Sequence, residues 1–291
     1  MEHRPRRKIS RRSFLRAAMY GTGGAFLAGT GAYTVDARAE PGQLRLEAVE
    51  VAIPELPAVF DGYRIIQLTD LHFGPAIAYR TVSRAVRVAL DRAPDMIVLT
   101  GDYVTYWLDR DLLHGVLHQL SAPDGVWAVL GNHDHWVDPA GVRRILAGAG
   151  VAELQNAGVR VERQGEALWL AGVDDIWEQR HDLSAALADI PTGAVTILLA
   201  HEPDYADEVA PTGRVALQLS GHSHGGQMCL PVLDVPVLSN FVHLARKYPR
   251  GLYKIGDMWL YTSAGIGHGP TPRVYASPEV TEITLRQEGA G

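Results

Sequence analysis

Tyr63-Arg64-Ile65-Ile66-Gln67-Leu68-Thr69-Asp70-Leu71-His72 is an apolar run that ends in an acid and an imidazole. A short apolar run of this kind reads as a buried strand. The arrangement recurs four times. Met96–Leu99 runs into Thr100-Gly101-Asp102, and Val126–Leu130 into Gly131-Asn132-His133-Asp134. Thr196–Leu199 runs into Ala200-His201, and Val215–Leu219 into Ser220-Gly221-His222-Ser223-His224-Gly225-Gly226. In an open α/β sheet the ligand site lies outside the carboxyl ends of the strands. Five strand ends therefore deliver Asp70, His72, Asp102, Asn132, His133, His201, His222 and His224 to one edge.

Outward from these runs the chain alternates. Thr81–Ala93 places Val82, Ala85, Val86, Ala89, Leu90 and Ala93 on one helical face, and Pro94 stops it. Asp109–Leu120 repeats the pattern, with Asp109 as N-cap. Asp138-Pro139 gives an N-cap followed by proline at the first helical position. Strand–helix alternation predicts an α/β architecture. Later, Val159–Glu162, Ala167–Val173, Gly251–Ile255, Trp259–Ser263 and Val280–Leu285 read as strands without intervening helices, which predicts a second, more antiparallel sheet. There is no internal repeat and no low-complexity linker, so residues 40–291 are expected to form one domain.

Each motif alone is weak: Asp-x-His is commonplace, Gly-Asp is usually a turn, and a single histidine after a strand is more often hydrogen-bonded than a ligand. Gly-His-x-His is stronger, because alternate strand-like positions can place both imidazoles on one side. The ordered set decides. About 30 residues separate the first motif from the second and the second from the third, one strand–helix repeat each time.

This set resembles the calcineurin-like metallophosphoesterase family over roughly residues 60–285. A leader that carries Ser10-Arg11-Arg12-Ser13-Phe14-Leu15, together with Gln67–His72 and Gly221–Gln227, resembles its exported or membrane-associated bacterial phosphodiesterase branch. The resemblance implies a four-layer α/β/β/α sandwich of two mixed sheets flanked by helices. It implies two divalent metal ions and a bridging hydroxide that hydrolyses phosphoester bonds. Asp70, His72, Asp102 and His224 are then expected to ligate one ion, and Asp102, Asn132, His201 and His222 the other, with Asp102 shared. His133 is expected to face the substrate phosphate rather than a metal. Mixed carboxylate, imidazole and amide ligands suit Mn, Fe or Zn, and two such ions about 3.5–4 Å apart clamp an in-line displacement. His133 can protonate the leaving oxygen or stabilise the pentacoordinate phosphate. Asp134 is expected either to orient His133 or to cap a helix or turn.

Softer candidates surround this set. His135 and Trp136 are expected to border the substrate. Asp174-Asp175 is read as a turn in preference to a site. Tyr248, His268 and Arg273 lie in late loops, and Gly265–Pro270 reads as a constrained loop that could close over the site. Leu230–Pro249, rich in Leu, Val, Phe and Pro, reads either as an apolar rim that accepts a lipid or as packing surface.

The first 39 residues read as an address. Ser10-Arg11-Arg12-Ser13-Phe14-Leu15-Arg16 resembles a twin-arginine export signal. A glycine-diluted apolar stretch follows, and Ala37-Arg38-Ala39 invites cleavage before Glu40. Retention of this segment as an anchor is the alternative. The predicted destination is the periplasm or the outer face of the cytoplasmic membrane, and the expected partners are the export machinery and a phosphoester or lipid-linked phosphate, with contact to the membrane surface.

The net charge of −6 conceals an asymmetry. Residues 1–39 hold eight basic residues against two acids, leaving 19 basic and 31 acidic residues in the body. An acidic body argues against long nucleic acids as partners, though not against short nucleotides. The one cysteine, Cys229, excludes an intramolecular disulfide and a cysteine-rich zinc site. Two other functions remain open from sequence: pyrophosphate cleavage in a UDP-linked acylated sugar, and metal binding without turnover.

Overall fold

A computed structural model describes residues 44–73, 76–105, 110–226, 247–267 and 277–288, with backbone alone at 76–78. The first decisive run forms β2 (Arg64–Leu68). Its successive side chains face opposite ways, as a strand requires. Ile66 and Leu68 enter one apolar cluster and Ile65 another. β3 (Met96–Thr100) divides in the same way, with Ile97 and Leu99 on one side and Met96 and Val98 on the other. These strands are buried on both faces, which explains why they read as continuous apolar runs rather than as alternation.

The described residues build two six-stranded mixed sheets. The remaining strands are β1 (Arg45–Ile53), β4 (Val126–Val129), β5 (Ala152–Glu153), β6 (Ala157–Arg163), β7 (Glu166–Gly172), β8 (Thr196–Leu199), β9 (Leu217–Ser220), β10 (Gly251–Ile255), β11 (Met258–Thr262) and β12 (Glu279–Gln287). The first sheet has the order β1-β12-β2-β3-β4-β5 and the second β10-β11-β9-β8-β7-β6. The core between them joins Ile65, Met96 and Val98 to Leu168, Leu170, Ile197, Leu199, Leu217 and Leu219.

The outer face of the first sheet is covered by three helices: α1 (Ala76–Asp91), α2 (Arg110–Leu117) and α4 (Pro139–Gly148). Between the last two lies the short α3 (Asn132–Val137). The outer face of the second sheet carries α5 (Leu183–Ala186) and α6 (Ala206–Val209). Two sheets and two flanking helical layers make the expected α/β/β/α sandwich. Among the described residues no helix is long and apolar enough to cross a membrane.

Pairing places the motifs. β2, β3 and β4 run parallel, with Ile66 opposite Ile97 and Ile97 opposite Val126. Their carboxyl ends emerge side by side. In the second sheet β7, β8, β9 and β11 are also parallel, so the ends that carry His201 and His222 leave along one edge.

Three features differ from the sequence reading. Val280–Leu285 was expected in the second sheet, but β12 lies inside the first, parallel to β1 and antiparallel to β2. Val280 faces the helix-side core and Ile283 and Leu285 the inter-sheet core, so both its faces are buried there. β1 has no apolar run to announce it, because only Val51 and Ile53 are buried in that edge strand. α1 begins at Ala76, five residues before the expected Thr81. Asp138 caps α4 as expected, accepting from Gly141 N at 2.9 Å. The expected N-cap Asp109, the address segment 1–39 and Cys229 lie outside the described residues.

Candidate metal centre

The five strand ends converge. Asp70, His72, Asp102 and His224 bring one ligand atom each within 4.8 Å of one another, and Asp102, His201 and His222 form a second such group. All six are buried, and Asp102 belongs to both groups. Asn132 joins the second group: its Oδ1 lies 3.1 Å from His222 Nδ1.

The backbone is bent to achieve this. Asp70, His72, Asp102, His222 and His224 all have positive φ, between 42° and 66°. For residues with a side chain this left-handed conformation is strained, and such strain persists only where the surroundings over-determine it. The surroundings are hydrogen bonds between the motif loops. Asp70 N donates to Gly101 O at 3.0 Å, His72 N to Asp102 O at 3.0 Å and Gly221 N to His201 O at 3.0 Å. His222 N donates to Asp70 Oδ2 at 3.0 Å. Gly131 lets the third loop approach: a Cβ there would sit 2.8 Å from both Asp102 N and His201 Nε2.

The donor set fits a cation. His201 Nδ1 lies 2.7 Å from Thr100 O, so the ring must donate there and Nε2 is left with its lone pair. That Nε2 is buried without a hydrogen-bond partner, 3.3 Å from Asp102 Oδ2. A lone pair facing a carboxylate is favourable only with positive charge between them. Burial works against protonation of His201, but the Asp102 carboxylate outweighs it and raises its pKa well above the usual range. Burial pushes Asp102 upward, and the imidazoles of His201, His72 and His133 pull its pKa below the ordinary range. The ring nitrogens of His72 and His224 approach to 3.0 Å, another pair of ligand atoms that a shared cation would reconcile. Burial and His201 lower the pKa of His222 to about 3, which keeps its imidazole neutral, the form that ligates.

His133 sits at the edge of the cluster, half-buried. Its backbone N donates to Asp102 Oδ1 at 2.9 Å. Its ring stands edge-on to His72, with centroids 4.8 Å apart, and lies 4.7 Å from the ring of Trp136. Trp136 meets Trp177 at 6.0 Å, and Trp177 meets His222 at 5.2 Å. Trp136 and Trp177 are 52% and 44% exposed, so an aromatic wall flanks the mouth of the site.

Asp134 behaves as a cap and does more. Its Oδ2 accepts from Gly131 N at 3.0 Å and from Asp102 N at 2.9 Å, and its Oδ1 from Tyr103 N at 2.9 Å. It ties the second motif to the third rather than turning to the His133 ring. Asp174 and Asp175, read as a turn, are buried. Asp174 accepts from His135 Nε2 at 2.7 Å, Gln155 Nε2 at 3.0 Å and Arg143 Nη2 at 3.2 Å. His135 is therefore a brace that ties α3 to the end of β7, not a residue bordering substrate. Tyr248 is buried away from the cluster and donates to Asp207 Oδ1 at 2.8 Å. Of the loop 265–270, Ile266 N and Gly267 N donate to Thr69 O and Asp70 O at 3.0 and 2.7 Å. His268, Arg273 and the loop 230–246 lie outside the described residues.

Sequence reasoning missed Thr105, whose Oγ1 lies 2.8 Å from His72 Nδ1, and also Trp177 and Glu202. Glu202 accepts from Trp177 N at 3.2 Å and holds the loop after β7. That loop leaves the same edge as the motifs, a position that gave a usable signal.

Comparison with known proteins agrees with this geometry. Residues 63–226 match the calcineurin-like phosphoesterase family. The chain is 31% identical over 289 residues to an uncharacterized metallophosphoesterase, YkuE, of Bacillus subtilis (strain 168), covering 96% of this chain and 99% of that one. It is 30% identical over 287 residues to the phosphodiesterase YaeI of Escherichia coli (strain K12), covering 95% and 99%. It is 30% identical over 257 residues to a transmembrane protein with a metallophosphoesterase domain of Danio rerio, covering 82% of this chain and 56% of that one. The chain thus spans nearly the full length of the two bacterial relatives and about half of the zebrafish one. With residues 63–226 matching the family and a buried Asp/His cluster within that span, the chain belongs to the calcineurin-like phosphoesterases, hydrolases of phosphoester bonds that use divalent metal.

Proposed function

We propose that this protein is a phosphodiesterase of the cell envelope that works with two divalent ions of Mn, Fe or Zn. The observation that carries this reading is the sharing of Asp102 between two buried ligand groups. Asp70, His72, Asp102 and His224 hold one ion, and Asp102, Asn132, His201 and His222 the other. When bound, the ions would supply Lewis-acid activation of water and neutralise charge on the phosphoryl oxygens.

The chain's own residues do the rest. Thr105 fixes the ring of His72, and Thr100 O fixes the tautomer of His201. Burial lowers the pKa of His133 and keeps the ring neutral, so it offers an N–H to a phosphoryl or leaving-group oxygen. Its backbone bond to Asp102 holds it beside the shared ligand. Trp136 and Trp177 flank one side of the site.

Residues 10–16 support export by the twin-arginine route, and with it a lipid-linked or other envelope phosphodiester as substrate. Bis-p-nitrophenyl phosphate and p-nitrophenyl phosphate, offered with Mn²⁺, Zn²⁺ or EDTA, test the reaction. The reading expects metal-dependent release that is faster on the diester and roughly 10²–10⁴-fold slower in His133→Ala. Release that persists in EDTA, or that is unaffected in His133→Ala, contradicts it.

A further inference from the structure

Beside the ligand cluster lies a cavity of about 250 Å³, lined by Ile176, Trp177, Glu202, Asp204, Tyr205 and Glu208 and closed on one side by His222. His222 belongs to both the cavity and the second ligand group, so the space opens directly off the reacting centre. It is smaller than the roughly 300–1,000 Å³ that drug-sized ligands occupy. That size suits a small head group.

The lining chemistry is one-sided. Trp177 and Tyr205 contribute aromatic surface. The carboxylates of Asp204 and Glu208 are exposed at its rim. Glu202 lies at its floor, its oxygens 3.2 and 3.4 Å from Trp177 N and Ile176 N, which fixes the backbone that presents the indole. No Lys or Arg is among the described residues that line it. Aromatic faces attract cations through the ring quadrupole, and carboxylates nearby add Coulombic attraction. The same lining repels a second phosphate or a carboxylate.

We propose that this cavity is the subsite for a cationic substituent of the substrate, an amino alcohol esterified to the phosphate. The inference rests on the phosphodiesterase reading and narrows it to zwitterionic diesters, in which the anionic phosphate meets the metal centre and the ammonium group meets Trp177, Asp204 and Glu208. Such a diester is a lipid head group or a free phosphodiester of the same amino alcohol, and the cavity recognises their shared chemistry.

The test compares p-nitrophenyl phosphocholine with p-nitrophenyl 3,3-dimethylbutyl phosphate, in which carbon replaces the quaternary nitrogen. The full chain is loaded with Mn²⁺, and bis-p-nitrophenyl phosphate reports basal diesterase activity. The proposal expects kcat/KM to favour the choline ester by about tenfold or more, as one partly desolvated cation–π contact with flanking carboxylates provides. In Asp204→Asn/Glu208→Gln the ratio should fall to within about threefold of unity, because these carboxylates supply the Coulombic share. A purely structural role would lower both esters together and leave the ratio intact, which would overturn the assignment, as would equal kcat/KM in the unaltered protein. If bis-p-nitrophenyl phosphate is not hydrolysed at all, the phosphodiesterase reading fails, and choline quenching of tryptophan fluorescence decides the subsite. Saturable quenching that is lost in Trp177→Phe and weakened in the double variant supports it, and its absence overturns it. Lysophosphatidylcholine and glycerophosphocholine, run side by side with the two esters, separate a lipid from a free source.

Discussion

The buried carboxylate of Asp134 accepts the backbone N–H of Asp102 at 2.9 Å, and so holds the shared ligand of the centre from beneath. The same carboxylate accepts from Gly131, Tyr103 and Val104, which stitches the loop after β3 to the loop after β4. In Asp134→Ala these buried donors lose their partner, at about 1–3 kcal/mol for each one left unsatisfied. Urea denaturation of the metal-free protein should show a loss of several kcal/mol. A change within experimental error would mean that the loops are held by something else.

Thr105 acts through His72. In Thr105→Val the Nδ1 of His72 loses its partner at 2.8 Å while the shape of the side chain is kept. Partners of ligating imidazoles set ring orientation, and their removal costs roughly 10–100-fold in metal affinity. Calorimetric titration with Mn²⁺ should show that weakening, alongside the loss of about 1–3 kcal/mol of stability that a buried nitrogen without its partner brings to the metal-free chain. Unchanged affinity would remove Thr105 from the account.

Gly131 is required for close approach rather than for an unusual backbone angle. A methyl group there meets Asp102 N and His201 Nε2 at 2.8 Å, so the two loops must part. Overpacking of this kind costs about 1–3 kcal/mol. Gly131→Ala should lower Tm and lose bound metal together, measured by scanning calorimetry and elemental analysis. Full metal retention would show that the loops can yield.

Asp174 provides a pH signature outside the ligand set. Burial raises its pKa, but the bond from His135 and those from Asp175 N and Gln155 outweigh burial and bring it down to about 2. A depressed folded-state pKa contributes stability above the unfolded value of about 3.9, and that stability is lost as pH falls toward 2. Denaturation midpoints of wild type and Asp174→Asn should therefore converge between pH 4 and pH 2. Parallel curves across that window would show that the His135–Asp174 pair carries no linked stability.

How much could be read in advance follows from burial. β2, β3, β4 and β8 were legible because both their faces are covered, which leaves unbroken apolar runs. β1 was not, since its first four residues are exposed and an edge strand needs apolar side chains on one side only. β12 was found as a strand but placed in the wrong sheet, because periodicity says nothing about which neighbour a strand pairs with. At the site, the residues brought together were legible from their place at strand ends, and their division into two ligand groups from the family resemblance. Thr105, Trp177 and Glu202 were missed, and the bonds that Asp134 makes beyond its cap were not foreseen, for a common reason. Each acts through a contact with a residue far away in sequence, such as Glu202 with Trp177 or Thr105 with His72. Asp174 looked like a turn because an acid after a strand usually is one; only the tertiary partners His135, Arg143 and Gln155 distinguish it.

The central claim is that Asp102 joins two metal positions into one hydrolytic centre. Elemental analysis of metal per chain, made on wild type, Asp102→Ala and His133→Ala beside their rates on bis-p-nitrophenyl phosphate, tests it most directly. The account predicts close to two ions in wild type, loss of both metal and turnover in Asp102→Ala, and retained metal with lost turnover in His133→Ala. Equal metal loss in both variants, or full turnover in Asp102→Ala, would contradict it.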